Sequence, residues 1–82
     1  MMAVHEDRLD ALDDEALVAL LTKEANKRRE RVLVEQREGR WIAESYQTDG
    51  LSSGRSVMLG AAGPDRHSAM VGLMRKFEAN RR

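Results

Sequence analysis

Eighty-two residues with no net formal charge and no cysteine suffice for one small core. They exclude a disulfide framework, a thiol nucleophile and a Cys-based zinc site. The longest apolar run, ALVALL, falls far short of the roughly 18 residues a membrane-crossing helix requires.

The opening MMAVHEDRLDALDDE lacks a basic n-region followed by an apolar stretch, so no signal peptide is expected. A cysteine-free chain of this kind suits the cytoplasm, with no membrane partner. Residues 1–82 read as a single domain, with 1–8 frayed. A domain this small buries only about 60% of its extended surface, so self-association or a partner is the expected supplement.

Charge is unevenly placed. Residues 1–22 hold Glu6, Asp7, Asp10, Asp13, Asp14 and Glu15 against Arg8 alone, whereas 23–40 and 66–82 carry a basic excess. A dedicated nucleic-acid binder is usually basic overall, which places that function second.

Leu9, Leu12, Ala16, Leu17, Leu20 and Leu21 recur at helical spacing and predict a first helix with one apolar face. Asp13 is the expected N-cap, Asp14 and Glu15 suit the first turn, and Lys27, Arg28 and Arg29 suit the negative C-terminal pole. HEDRLDAL reads either as a separate turn or as an extension of this helix.

RVLVEQREGRWIAESYQ then predicts a β-hairpin turning at Glu38-Gly39. Two registers are open. A two-residue loop pairs Arg37 with Arg40 and sets Trp41 on the face of Val32 and Val34. A three-residue loop with a bulge at Gly39 pairs Gln36 with Arg40; Ile42 and Tyr46 then join Val32 and Val34, while Trp41 turns to the opposite face beside Leu33. Primed two-residue turns want positive φ at both positions, which Glu-Gly suits poorly, so the bulged register and a less buried Trp41 are expected.

TDGLSSG (48–54) reads as a flexible connection, and a short third strand is expected at about Ser56–Leu59. The last helix is expected from Pro64 or Arg66 to Asn80, capped by Gly63 or Asp65. Met70, Leu73, Met74 and Phe77 form its apolar stripe. The fold class is α+β, ordered α-β-β-β-α, with a three-stranded antiparallel sheet and two helices on one face.

GAAGPDRHS, between the last strand and the last helix, superficially resembles a phosphate-gripping loop. Gly60 and Gly63 have the wrong spacing, no Lys-Ser/Thr pair follows, Pro64 removes an amide donor and Asp65 repels anions. The segment is expected only to turn the chain. His5 and His67 lie far apart in sequence, and Ser52, Ser53, Ser56 and Ser68 have no base arrangement. Neither catalytic residues, a metal site nor a cofactor is expected.

The element order resembles the double-stranded RNA-binding domain over roughly residues 9–80. That family's last helix opens with a glycine-containing loop and a Ser-Lys-Lys signature. Here Gly60 and Gly63 precede Arg66 and His67, followed by Ala69. The hairpin loop reads QREGR in place of the family's Gly-Pro-x-His, and MVGLM replaces its alanine-rich turns. The resemblance implies phosphate contacts by Arg37, Arg40, Arg66, His67, Arg75 and Lys76. The chain also has the general look of small phage or mobile-element proteins such as anti-CRISPR inhibitors. With three aromatic side chains, single-stranded stacking is poorly served.

The expected function is a small non-enzymatic protein-binding module: an inhibitor, adaptor or regulator, self-associating and acting on another protein. Its expected docking surface is Leu33, Glu35, Arg37, Arg40 and Trp41, since an exposed Trp beside Arg is a common interface anchor. The alternative is a double-stranded nucleic-acid-binding domain using the basic residues named above.

Overall fold

The computed structural model describes residues 9–48 and 54–80, with Arg55 by its backbone alone. The N-terminal segment expected to fray (1–8) and most of the expected flexible connection (49–53) lie outside the described residues. Asp13 adopts an extended conformation and its carboxylate accepts the Ala16 N–H at 2.8 Å, so helix α1 spans Asp14–Lys27 as its cap dictates. The same extended residue separates α1 from a short helical turn at 9–11, whose Leu9 is buried in the core. Beyond α1, Arg29 takes a left-handed conformation (φ 59°). Its N–H meets the Asn26 carbonyl at 3.1 Å and the Glu30 N–H meets the Ala25 carbonyl at 2.8 Å. This pair of bonds is a Schellman ending, which reverses the chain into the sheet.

Strands β1 (Arg31–Arg37), β2 (Arg40–Thr48) and β3 (Arg55–Gly63) form one antiparallel sheet in the order β1-β2-β3. Two expectations are corrected here. The hairpin is closed by the two-residue turn, with Arg37 opposite Arg40 and both Glu38 (φ 51°) and Gly39 (φ 80°) left-handed. A left-handed Glu costs about 1–2 kcal/mol. The bulged register would cost more, because it would turn Glu44 toward the helices in place of Ala43 and Ser45. In the observed register Trp41, Ala43 and Ser45 share the inner face with Val32 and Val34, and Ala43 and Ser45 are 0% exposed. The second correction concerns the glycine segment. Gly60 to Gly63 is not a loop but the second half of β3, pairing with Glu44 through Trp41.

One irregularity interrupts β2–β3. Ser45 pairs with Leu59 and Tyr46 with Val57, leaving Met58 as an extra residue. The buried Ser45 hydroxyl accepts the Leu59 N–H at 3.2 Å, satisfying an amide beside the bulge.

Helix α2 spans Arg66–Ala79, with Asp65 as N-cap accepting the Ser68 N–H at 2.8 Å. The expected stripe of Met70, Leu73, Met74 and Phe77 is buried, joined by Ala69 and Val71, and packs over the sheet beside Leu17 and Leu21 of α1. Close approach explains the glycines. A Cβ at Gly63 would lie 2.8 Å from Ser68 Cβ and 3.0 Å from Ala69 N, and one at Gly72 would lie 3.0 Å from Ala61 Cβ. Arg28 ties the two helices together: its guanidinium donates to the Phe77 carbonyl at 2.8 Å and lies 4.8 Å from the centre of the Phe77 ring. The result is the α+β architecture expected, with both helices on one side of the sheet.

Candidate functional site

Because side chains alternate along a strand, covering one face with helices leaves the other bare. On β1 the bare face carries Leu33, Glu35 and Arg37; on β2 it carries Arg40, Ile42, Glu44 and Tyr46. Val57, Gly60 and Ala62 complete it on β3. Val57 is 54% exposed and the bulged Met58 47%. A shallow hollow of about 300 Å³ runs between Ile42, Glu44, Ala62 and Lys76.

A charged bridge crosses this face. Arg37 hydrogen-bonds Glu35 on its own strand and reaches Glu44 on β2 at 3.2 Å. The hydrogen bonds to Glu35 and then Glu44 raise the Arg37 pKa above its ordinary value. The guanidinium, charged whatever the shift, sits between two carboxylates and places charge beside apolar Leu33 and Ile42.

Of the docking residues expected from sequence, Leu33, Glu35, Arg37 and Arg40 fall together on this face. Trp41 does not. It sits opposite Gln36 and Gly63 on the inner face and packs against the core, a direct consequence of the two-residue turn. Ile42 and Tyr46, expected beside Val32 and Val34 under the bulged register, take the outer face. Sequence alternation could have placed them there, had the turn been assigned its left-handed Glu38.

The basic residues expected at a nucleic-acid surface separate into two groups. Arg37 and Arg40 lie at the hairpin end of the outer face. Arg66, His67 and Arg75 turn instead to the acidic segment that precedes and opens α1. His67 Nδ1 lies 3.2 Å from Asp14 and its Nε2 3.0 Å from the Asp10 carbonyl. Arg66 approaches Asp14 at 3.8 Å and Arg75 approaches Asp10 at 3.3 Å. Lys76 donates to the Gly60 carbonyl on β3. The basic opening of α2 is thus occupied within the chain.

A larger cleft, about 590 Å³, lies between the end of α1 and the start of β1, lined by Asn26, Arg29, Glu30, Val32 and Tyr46 among others. Glu30 in its wall is only 8% exposed, and one of its carboxylate oxygens is buried with no hydrogen-bond partner among the described residues. No group of three His, Cys, Asp or Glu side chains among the described residues is placed to hold a metal ion. No described helix is long and apolar enough to cross a membrane. Compared with known proteins, the chain matches no family model, no curated protein and no solved structure.

Proposed function

We propose that this protein is a non-enzymatic protein-binding module, an inhibitor, adaptor or regulator, that self-associates and docks another protein on the outer face of its sheet. The observation that carries this is the one-sided covering of the sheet. Leu33, Ile42, Tyr46, Val57 and Met58 are left together outside the core, around a fixed Glu35–Arg37–Glu44 bridge. An apolar centre with oriented charges gives both affinity and register to a protein partner. The partner that fits presents an apolar patch, with an acidic group for Arg40 at its edge.

Double-stranded nucleic-acid binding is served less well by this arrangement. It draws on Arg37, Arg40, Arg66, His67, Arg75 and Lys76, and of these all but Arg40 already hold internal acceptors.

A photo-crosslinking amino acid at Ile42, compared with one at exposed Lys23 on α1, tests the proposal in cells, with and without nuclease. Capture of one protein species from Ile42 alone, resistant to nuclease, is the expected result. Equal capture from both positions, or nuclease-sensitive nucleic acid with Ile42 indifferent, overturns it.

A further inference from the structure

The two edges of the sheet are not equally protected. Antiparallel neighbours alternate between pairs that exchange both backbone hydrogen bonds and pairs that exchange none. The closing pair of a two-residue turn, Arg37–Arg40, is a bonded one, so Arg31, Leu33 and Glu35 direct their backbone groups to β2. Val32, Val34 and Gln36 therefore turn their N–H and C=O groups to the outer edge. No hydrogen bond from a described residue reaches them there. On the opposite edge, Gly60 of β3 likewise faces outward, but Lys76 of α2 reaches across to its carbonyl. Lysine at an edge is a recognised guard against strand addition. Edge β1 has no such guard.

We infer that edge β1 pairs antiparallel with edge β1 of a second copy of this chain, in the register centred on Leu33, joining two three-stranded sheets into one of six strands. This rests on the self-association within the proposed function but does not need the outer-face partner. Two observations select the occupant and the register. With Leu33 opposite Leu33, Arg31 stands opposite Glu35 of the second copy and Glu35 opposite its Arg31, giving two opposite-charge pairs by symmetry. Val32 and Val34, the outward-bonding residues, stand opposite Val34 and Val32 of the second copy, so apolar pairs continue the inner face. Centring the pair one residue on, at Val34, would instead set Arg31 against Arg37, like against like.

The chain has no cysteine, so one introduced thiol reports the axis without background. The non-bonded Leu33 pair brings Cα atoms to about 4.5 Å, within disulfide reach. Under mild oxidation Leu33→Cys is expected to form covalent dimers and Ile42→Cys, one strand away, to remain monomeric. In sedimentation equilibrium, Arg31→Glu and Glu35→Arg singly are each expected to weaken the dimer about tenfold, and Arg31→Glu with Glu35→Arg together to restore it. Both positions lie on the solvent side of the sheet, and far-ultraviolet circular dichroism checks that the variants fold.

A wild-type chain monomeric at millimolar concentration overturns both the self-association and this inference. A wild-type dimer that ignores the charge swaps, or whose Leu33→Cys variant fails to crosslink, overturns the β1 edge and leaves self-association standing. Loss of Ile42 crosslinking to another protein with the dimer intact strikes only the outer-face reading.

Discussion

The inner and outer faces of the sheet are built from the same strands, yet they differ in what their residues do. Ala43 and Ser45 are sealed beneath the helices, while Ile42 and Glu44, one step away, face solvent with Arg37 between the strands. The inner side chains are set by volume: small Ala43 admits α2, and Gly63 and Gly72 let backbone and helix approach without a Cβ. The outer side chains are constrained by no such fit. In the proposed docking role, the large apolar and charged groups on this face serve a partner rather than the core.

The contrast is sharpest where a buried group is cut back. Phe77→Ala, at the centre of the core, is expected to lower unfolding stability by about 3–5 kcal/mol, a large share of what so small a domain has. Ile42→Ala on the outer face is expected to cost about 1 kcal/mol or less. Urea denaturation of the two variants measures the difference, and equal losses would mean that the outer face is also packed.

Glycine substitutions divide in the same way. Gly63→Val, forced against Ser68 and Ala69, is expected to cost about 1–3 kcal/mol. Gly60→Ala would set its methyl 3.5 Å from Glu44 Cγ, an ordinary contact on the open side, and is expected to change stability by no more than about 0.5 kcal/mol. Thermal melts of both variants check this.

Two left-handed non-glycine residues hold the elements that set the faces, and both are conformationally costly. Glu38→Asn makes an Asn-Gly turn and is expected to stabilise by about 0.5–1 kcal/mol; Arg29→Gly, at the Schellman ending, is expected to stabilise by a similar amount. Fluorescence of the single tryptophan supplies a second readout for the hairpin. Its emission is expected to lie to the blue of solvent-exposed indole, and to shift red when Glu38-Gly39 is lengthened by one residue.

The smallest effect concerns acid. The Ser68 N–H, then the Ser68 side chain, hold the Asp65 carboxylate below its ordinary pKa of 3.8. A depressed carboxylate contributes stability above its unfolded pKa and loses it as pH falls through the lower, folded value. Asp65→Asn keeps a capping oxygen but does not titrate, so its melting temperature is expected to fall less steeply than wild type below pH 4. Parallel melts from pH 5 to pH 2 report the difference in slope.

Local chemistry was enough to place both helices, while the start of α2 stayed open between Pro64 and Arg66. Asp13 and Asp65 cap them where a side-chain oxygen can meet the third amide onward, and the stripe ending at Phe77 follows from helical spacing alone. The alternation of β1 and β2 also announced a hairpin with Leu33, Glu35, Arg37 and Arg40 near one another. What sequence by itself left open was the phase. A turn of two residues or three carries nearly the same local signature, and local preference argued against Glu38 in a left-handed conformation. Tertiary packing decided otherwise, because only the two-residue turn places Trp41, Ala43 and Ser45 under the helices together. Gly63 was opaque for the same reason. Its role depends on how closely α2 turns back onto the end of β3. Composition, spacing and caps set the kind and order of the elements, whereas the full length of β3 and the side each residue faces were decided by the packing of helices on the sheet, where burial outweighs a single strained φ.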